Sequence, residues 1–328
     1  MSRKIAFIGA GRMANCHASW LKKMSDAEVA GVFDTNPEKS KKFSEIYGAK
    51  IYGSLEELLA EKSFDGICIC NYAYDHVATM ITVMKSGFRN IFCEKPVMRH
   101  PEEAQILRDA IAEYSPRIMI GHHRKHLNSM KKVKEILDSG RLGKVHYFKV
   151  HYCNPWYARD WTDYFASYDL SGGTTLDMGT HYLDLLCWFF GDVESVSARA
   201  VMLEKSLSED IAPFDYVNGI VSFKNGAFGG LESSYQRYGE AIDAMEIYGE
   251  KYTLLTDFYT KIELKNKEET VQISFVKNDP YENQMQEFVG MISDGEERHT
   301  TVEEAIAASA TALAMMKSSE RGGETVRF

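Results

Sequence analysis

Up to His122, short apolar runs alternate with segments of helical period. Ile5-Ala6-Phe7-Ile8 reads as a strand, and a helical pattern follows it. Val29 to Phe33 reads as the next strand, Glu38 to Tyr47 as a helix, and Gly48 to Tyr52 as a short strand candidate. Ser54, with Glu57 three positions on, has the spacing of a capping box. Gly66 to Cys70, Asn90 to Cys93 and Arg117 to Gly121 read as further strands; His76 to Lys85 and Glu102 to Tyr114 read as the helices between them. Repeated strand–helix units predict a parallel sheet covered by helices. Ligands of such sheets bind beyond the carboxyl ends of the strands. Asn71, Glu94, Lys95 and His122 follow strand ends there.

The pattern then changes. A helical stretch from Asn128 to Ser139 leads into Val145 to Tyr152, which has strand character. Val193 to Val201, Tyr216 to Phe223, Ala227 to Tyr235, Ala244 to Tyr248, Tyr252 to Asp257 and Val271 to Phe275 also read as strands. Lys224-Asn225-Gly226 is a strong hairpin signal. Helices over Glu282 to Ser293 and Val302 to Ser318 close the chain, the last with Thr301 and Glu304 at capping-box spacing. These strands predict a large, mostly antiparallel open sheet with helices, an α+β arrangement distinct from the α/β first part.

Chemistry enters at the first strand end. Ile8 runs into Gly9-Ala10-Gly11-Arg12-Met13-Ala14. Gly9 permits a tight turn, Gly11 lets backbone approach a pyrophosphate, and Ala14 is small enough for close helix–strand packing. The following helix points free N–H groups at the phosphates. Gly9, Gly11, Arg12 and Met13 are therefore candidate contacts to a dinucleotide, and residues 1–122 read as a Rossmann domain. Asp34 ends the second strand, about 20 residues after the glycines, where an acid binds the adenosine ribose 2′-OH. A carboxylate there repels a 2′-phosphate, and Asp34-Thr35-Asn36 offers no base to neutralise one. NAD is expected over NADP, although Lys39, Lys41 and Lys42 on the next helix could partly compensate. Asn36 before Pro37 fills the helix-capping role, which leaves Asp34 for the ribose.

Composition narrows the class. A chain of 328 residues is long for a single core, so a second domain over 123–328 is expected. The net charge of -9 argues against nucleic acid. No apolar run is long enough for a transmembrane helix, and no signal peptide precedes the first strand, so no membrane partner and a cytoplasmic location are expected. The six cysteines are scattered and read as buried free thiols in a reducing compartment. Cys68-Ile69-Cys70 lacks zinc-site spacing, and neighbouring His122 and His123, with His126, lack an evident carboxylate partner; no metal is expected.

Two further segments carry reactive groups. Glu94-Lys95-Pro96 follows the strand ending at Cys93, on the part of the sheet where the nicotinamide end of a dinucleotide lies. Pro96 restricts Lys95. Gly172-Gly173-Thr174-Thr175-Leu176-Asp177-Met178-Gly179-Thr180-His181 comes later. If Asp177 starts a helix, His181 is one turn on along the same face. With the glycine turn, these segments resemble the Gfo/Idh/MocA family of oxidoreductases, and the resemblance extends to Tyr281, Phe288, Gly295, Thr301 and Ser319-Glu320-Arg321-Gly322. It implies an N-terminal Rossmann domain, a C-terminal domain with an open antiparallel sheet, and Lys95, Asp177 and His181 as the catalytic residues, which also touch substrate. Asn71, His76, Glu94 and Lys95 join the candidate cofactor contacts.

The chain departs from the family pattern at two places. Asn71-Tyr72 stands where many members have Thr-Pro, and Arg124-Lys125 stands where Arg-Phe is frequent. Arg124 is a candidate substrate contact, as are Trp156, Arg159 and Trp161 in the aromatic-rich loop with Tyr157 and Tyr164. Asp184, one turn beyond His181, is open to a catalytic or a structural reading.

The expected activity is NAD-dependent hydride transfer to or from a secondary alcohol of a sugar, inositol or sugar derivative. An NADP-dependent member, an enzyme that retains NAD with no net redox change, and a non-enzymatic dinucleotide sensor are the alternatives. Tyr216, Phe223, Phe228, Tyr235, Tyr238, Tyr248, Tyr252, Phe258 and Tyr259 exceed what one thin layer readily buries, so the sheet is expected to build a homodimer or homotetramer.

Overall fold

The structure is a computed structural model that describes residues 2–155, 171–203, 215–296 and 301–328. The chain divides into two compact units, Met1–His123 with Asp279–Ile306, and Arg124–Asn278 with Ala307–Phe328. The expected single domain over 123–328 is thereby corrected: residues 279–306 belong with the N-terminal unit.

The first unit is built on six parallel strands, β1 (Arg3–Ile8), β2 (Ala27–Phe33), β3 (Lys50–Ile51), β4 (Gly66–Ile69), β5 (Asn90–Cys93) and β6 (Arg117–Ile120), in the order β3-β2-β1-β4-β5-β6. That is the doubly wound dinucleotide-binding order, with its switch point between β1 and β4. The central strands β1, β4 and β5 are buried on both faces over most of their length, which is why they read as continuous apolar runs; β3 at the edge is exposed. Helices α1 (Arg12–Leu21), α2 (Pro37–Tyr47), α3 (Leu55–Ala60), α4 (His76–Lys85) and α5 (Glu103–Tyr114) connect them. Asn36 accepts from Glu38 N–H at 3.0 Å and caps α2, with Pro37 at its first position. Ser54 Oγ accepts from Glu57 N–H at 3.2 Å and caps α3.

In the second unit, α6 (Asn128–Asp138) precedes β7 (Val145–Cys153), and α7 (Thr180–Phe190) follows a π-helical turn over Thr175–Gly179. The remaining strands are β8 (Val193–Val201), β9 (Tyr216–Phe223), β10 (Phe228–Ser234), β11 (Ile242–Gly249), β12 (Thr253–Thr256), β13 (Ile262–Lys265), β14 (Thr270–Gln272) and β15 (Val326–Arg327). They make one sheet, in the order β14-β13-β12-β11-β7-β10-β9-β8-β15. It is antiparallel except for β7 beside β10, which run parallel. β13 and β15 were not foreseen; each is short and has too few residues for a visible alternation. Lys224-Asn225-Gly226 makes the expected hairpin turn between β9 and β10, with Gly226 N–H donating to Phe223 O.

Helices α8 (Pro280–Asp294) and α9 (Val302–Glu320) complete the chain. Met285, Phe288, Val289 and Ile292 of α8 join the core of the first unit with Phe92 and Met119. A Cβ at Gly66 would come within 2.7 Å of Ile292 Cδ1 and 3.1 Å of Phe288 Cζ, so glycine there lets α8 pack closely on β4. Thr301 and Glu304 form both bonds of the capping box at the start of α9.

One face of the large sheet packs on the helices of its unit, in a core that holds Phe148, Val150, Leu231, Met245 and Ile247. The alternate residues turn the other way. Phe228, Tyr147 and Tyr248 are direct cross-strand neighbours on β10, β7 and β11, with ring centroids 5.4 and 5.5 Å apart. Of the nine rings expected to supply contact surface, Phe223, Tyr235 and Phe258 are instead fully buried within the unit.

Candidate active site

The glycine turn leaves β1 at Gly9, whose φ of 95° suits only glycine. A Cβ there would also collide with the Cys70 carbonyl at 2.5 Å. Gly11 begins α1 without a side chain to cap it, and a Cβ at Gly11 would meet nothing within 4 Å. The first turn of α1 thus has no side-chain cap, and the space beside Gly11 is open, which suits the approach of a pyrophosphate. Arg12 is exposed in this first turn and Met13 is half-buried beside it, while Ala14 is buried where α1 packs on the sheet.

Asp34 does not stand free. Its Oδ2 accepts from Ala10 N–H at 2.7 Å, and its Oδ1 accepts from Asn36 N–H at 2.8 Å. The carboxylate therefore ties the end of β2 to the glycine turn. Each oxygen keeps a second lone pair for a ribose hydroxyl.

Asn71 follows β4, and its side-chain amide donates to Thr79 Oγ1 at 2.9 Å. His76 and Glu94, expected as cofactor contacts, are both buried and take other parts. His76 Nδ1 lies 2.8 Å from Pro96 O, to which it can donate, and so ties the helix after β4 to the loop after β5; Nε2 lies 3.3 Å from Asn71 O, which the single N–H of a neutral ring cannot also serve. Burial pushes the His76 imidazole below its ordinary value, outweighing the carbonyls and the Glu94 charge that raise it. Glu94 meets His17 of α1, with Oε1 2.5 Å from Nε2, and its Oε2 accepts from Lys95 N–H at 3.1 Å. Burial raises the Glu94 carboxyl, but the bond and charge of His17, with Lys95 and His76, bring it below the usual carboxylate range. Lys95 itself is half-buried, and the Lys95–Pro96 peptide is cis.

In the second unit, Gly172 and Gly173 take successive positive φ values of 74° and 67°. A Cβ at Gly172 would strike Leu176 at 2.6 Å. The chain then winds through the π turn that carries Asp177 and enters α7, where His181 sits in the first turn. Asp177 thus lies in the first turn of a π segment that runs on into α7, close to the helix start expected for it. Both side chains are nearly sealed from solvent. Tyr235, the residue after β10, donates its hydroxyl proton to Asp177 Oδ2 at 2.5 Å. Thr174 and Ser233 join their hydroxyls at 2.7 Å nearby in sequence, a second tie between the turn and β10.

Arg124, expected as a substrate contact, is buried, with Nη2 2.6 Å from Tyr182 Oη and 2.8 Å from Asp243 Oδ2. Its guanidinium also stacks 4.3 Å from the Tyr182 ring centroid and 4.9 Å from that of Phe258. Asp184 pairs with Lys125 at 2.8 Å, both side chains fully buried, and this favours its structural reading. Trp156, Tyr157, Arg159, Trp161 and Tyr164 lie outside the described residues. Among the described residues no group of three or more His, Cys, Asp or Glu side chains could hold a metal ion, and no helix is long and apolar enough to cross a membrane.

Sequence reading missed His17 and misplaced Tyr235. His17 had a signal, since it is the one ionisable residue in the buried stripe Ala14, His17, Ala18, Leu21. Tyr235 had none, because its partner is 58 residues away in the chain.

A parallel sheet in this order, with an uncapped glycine turn and an acid at the end of β2, defines a dinucleotide-binding protein. Comparison with known proteins gives the family. The sequence model for "Oxidoreductase family, NAD-binding Rossmann fold" matches residues 3–122, and that for "GFO/IDH/MocA C-terminal domain" matches residues 130–255. The chain belongs to the Gfo/Idh/MocA family of oxidoreductases. Myo-inositol 2-dehydrogenase of Thermotoga maritima is 26% identical over 256 residues, covering 77% of this chain and 75% of the relative. Inositol 2-dehydrogenase of Rhizobium meliloti is 23% identical and covers 97% of both chains. The crystal structure of an oxidoreductase from Agrobacterium radiobacter in complex with NAD+, L-tartaric acid and magnesium superposes with a TM-score of 0.88 at 20% identity, covering 100% of this chain and 98% of that one.

Proposed function

We propose that this protein is an NAD-dependent dehydrogenase acting on a secondary alcohol of a cyclic polyol, sugar or sugar derivative. The observation that carries this reading is the Asp177–His181 pair, set on a π turn and the helix after it and anchored by Tyr235, in a chain whose other unit has the NAD-binding turn. Gly9, Gly11 and the first turn of α1 would hold the pyrophosphate, and Asp34 the adenosine ribose. When bound, NAD supplies a hydride acceptor at its nicotinamide.

The protein's own groups handle the proton and the charge. His181 takes the hydroxyl proton as the C–H bond is oxidised and returns it in reduction; a histidine suits both directions because its ordinary pKa is about 6.5. The Lys95 ammonium stabilises alkoxide character on the same oxygen. Asp177, with one oxygen accepting from Tyr235, orients a neighbouring hydroxyl or His181. Assigning Lys95 to the same reaction as Asp177 and His181 rests on the family's sequence pattern. Cofactor choice rests on Asp34. The inositol dehydrogenases among the relatives support a polyol substrate.

The test is a panel of inositols, sugars and sugar acids with NAD and with NADP, following absorbance of the reduced cofactor. Substrate-dependent reduction of NAD supports the reading. Turnover of substrate on tightly held NAD without net NADH would reassign the protein to an enzyme that retains its cofactor. NAD binding with no turnover of any polyol would leave a sensor.

A further inference from the structure

His17 occupies a place where an apolar residue would be expected. It lies on the core-facing stripe of α1 and is fully buried. Its ring meets the edge of Phe92 at 4.8 Å and of Tyr281 at 6.0 Å. Burying an imidazole in such a setting is costly unless it makes a hydrogen bond that matters. The bond it makes is to Glu94 Oε1, 2.5 Å from Nε2. Nδ1 is buried with no hydrogen-bond partner among the described residues. An unpartnered lone pair is tolerated there far better than an unpartnered N–H. The donor of this pair is therefore Nε2, directed at Glu94 Oε1.

Glu94 passes this restraint on. Its other oxygen, Oε2, accepts from the backbone N–H of Lys95 at 3.1 Å. Gly121, just after β6, leaves the space the carboxyl fills, since a Cβ there would lie 2.9 Å from Glu94 Cδ. Three elements thus converge on one carboxylate: α1 through His17, the end of β5 through Glu94, and the end of β6 through Gly121. On the far side of the turn, Pro96 O is held by His76 Nδ1 at 2.8 Å. The backbone that carries Lys95 is fastened on both sides, and on one of them the fastening runs back to α1.

We propose that His17 is a positioning residue: it holds Glu94 by a single donated hydrogen bond, and Glu94 in turn fixes the Lys95 backbone so that the lysine side chain is presented in one direction. The functional part of this inference rests on the proposed role of Lys95.

The experiment compares His17→Leu, which keeps the volume but loses the donor, with His17→Gln, whose side-chain amide places a donor near the position of Nε2. The first readout is hydrogen exchange of the Lys95 amide in the cofactor-free protein. His17→Leu should exchange at least about 10-fold faster there, with the amides of β1 and β4 unchanged, and His17→Gln should retain protection. The second readout is kinetic. Turnover should fall about 10- to 100-fold in His17→Leu, as expected when a reacting group is misplaced. It should recover to within about 3-fold in His17→Gln, and NAD affinity by calorimetry should stay within about 3-fold in both. Unchanged exchange at Lys95 in His17→Leu overturns the inference. So does faster exchange with normal turnover, or equal damage in both variants, which would mark a packing role for the ring. Lys95→Ala separates the two levels. Normal turnover in that variant defeats the reading of Lys95, while the exchange data still decide whether His17 holds the turn.

Discussion

The phenol of Tyr235 donates to Asp177 Oδ2, joining the residue after β10 to the π turn before α7. The bond takes one oxygen of a buried carboxylate and fixes its orientation. Tyr235→Phe removes the hydroxyl and leaves the ring in its buried place. Turnover on the identified substrate should fall by about 10-fold, roughly 1.4 kcal/mol of transition-state stabilisation. NAD affinity, set in the other unit, should not change. Steady-state kinetics with parallel calorimetry decide this, and normal turnover would reduce Tyr235 to a packing residue.

Lys125 and Asp184 make an ion pair sealed from water. Removing one member of a buried ion pair generally costs about 3–5 kcal/mol. Asp184→Ala should lose that much stability by urea titration. Lys125→Met with Asp184→Leu should lose much less, because the charges leave together. Similar losses in the single and double variants would contradict the argument.

Asp34 should set cofactor choice and brace the glycine turn at the same time. Catalytic efficiency with NAD should exceed that with NADP by at least about 10-fold. Asp34→Ser with Thr35→Arg should narrow or reverse the ratio. Because Ala10 N–H donates to Asp34, this double variant should also show faster hydrogen exchange at Ala10. A preference for NADP in the unmodified protein would defeat the cofactor assignment.

His76 links stability to pH. Its imidazole titrates below the ordinary histidine value in the folded protein because burial disfavours the charged form. Between about pH 6.5 and the lower folded value, the unfolded chain binds the proton and the native one does not. Stability should therefore be full above about pH 6.5 and decline as pH falls through that window. His76→Asn, which can still donate to Pro96 O, should flatten that part of the curve. Urea midpoints collected across the window for both proteins provide the comparison.

The open face of the large sheet should pair two copies of the chain. Ile220 and Phe228 are about half exposed, and Phe228 stacks into the cross-strand row with Tyr147 and Tyr248. An apolar row on a surface strand usually marks association. Light scattering at micromolar concentration should give a multiple of the 37.2 kDa chain mass. Phe228→Asp with Ile220→Asp should shift it toward the monomer. A monomeric mass for the unmodified protein would remove the proposal.

Features with a backbone cause were readable in the chain. Gly9 stands where φ is positive, Asn36-Pro37 starts α2, and Lys224-Asn225-Gly226 turns a hairpin, each from local chemistry alone. The parallel β7–β10 pair was not readable, because its partners are about 80 residues apart and alternate like antiparallel strands. Arg124 looked like a substrate ligand because an arginine after a strand end is accessible by default. Only the fold brings Asp243 to it, 119 residues away. For His76 and Glu94 the place at the strand ends was readable, but their partners, Pro96 in the loop after β5 and His17 on α1, were not.

The return of α8 to the first unit has a consequence for biogenesis. Phe288 and Ile292 complete the apolar cover around Gly66 and Phe92, yet they leave the ribosome after all but the last helix and strand of the second unit's sequence. The nucleotide-binding half therefore cannot finish folding as it emerges, although it is encoded first. Its uncovered patch must wait while about 160 intervening residues are made, on the order of 10 s or more at ordinary elongation rates. For this chain the direction of synthesis and the order of assembly do not coincide, and that interval is when the nascent protein is most exposed to misassociation.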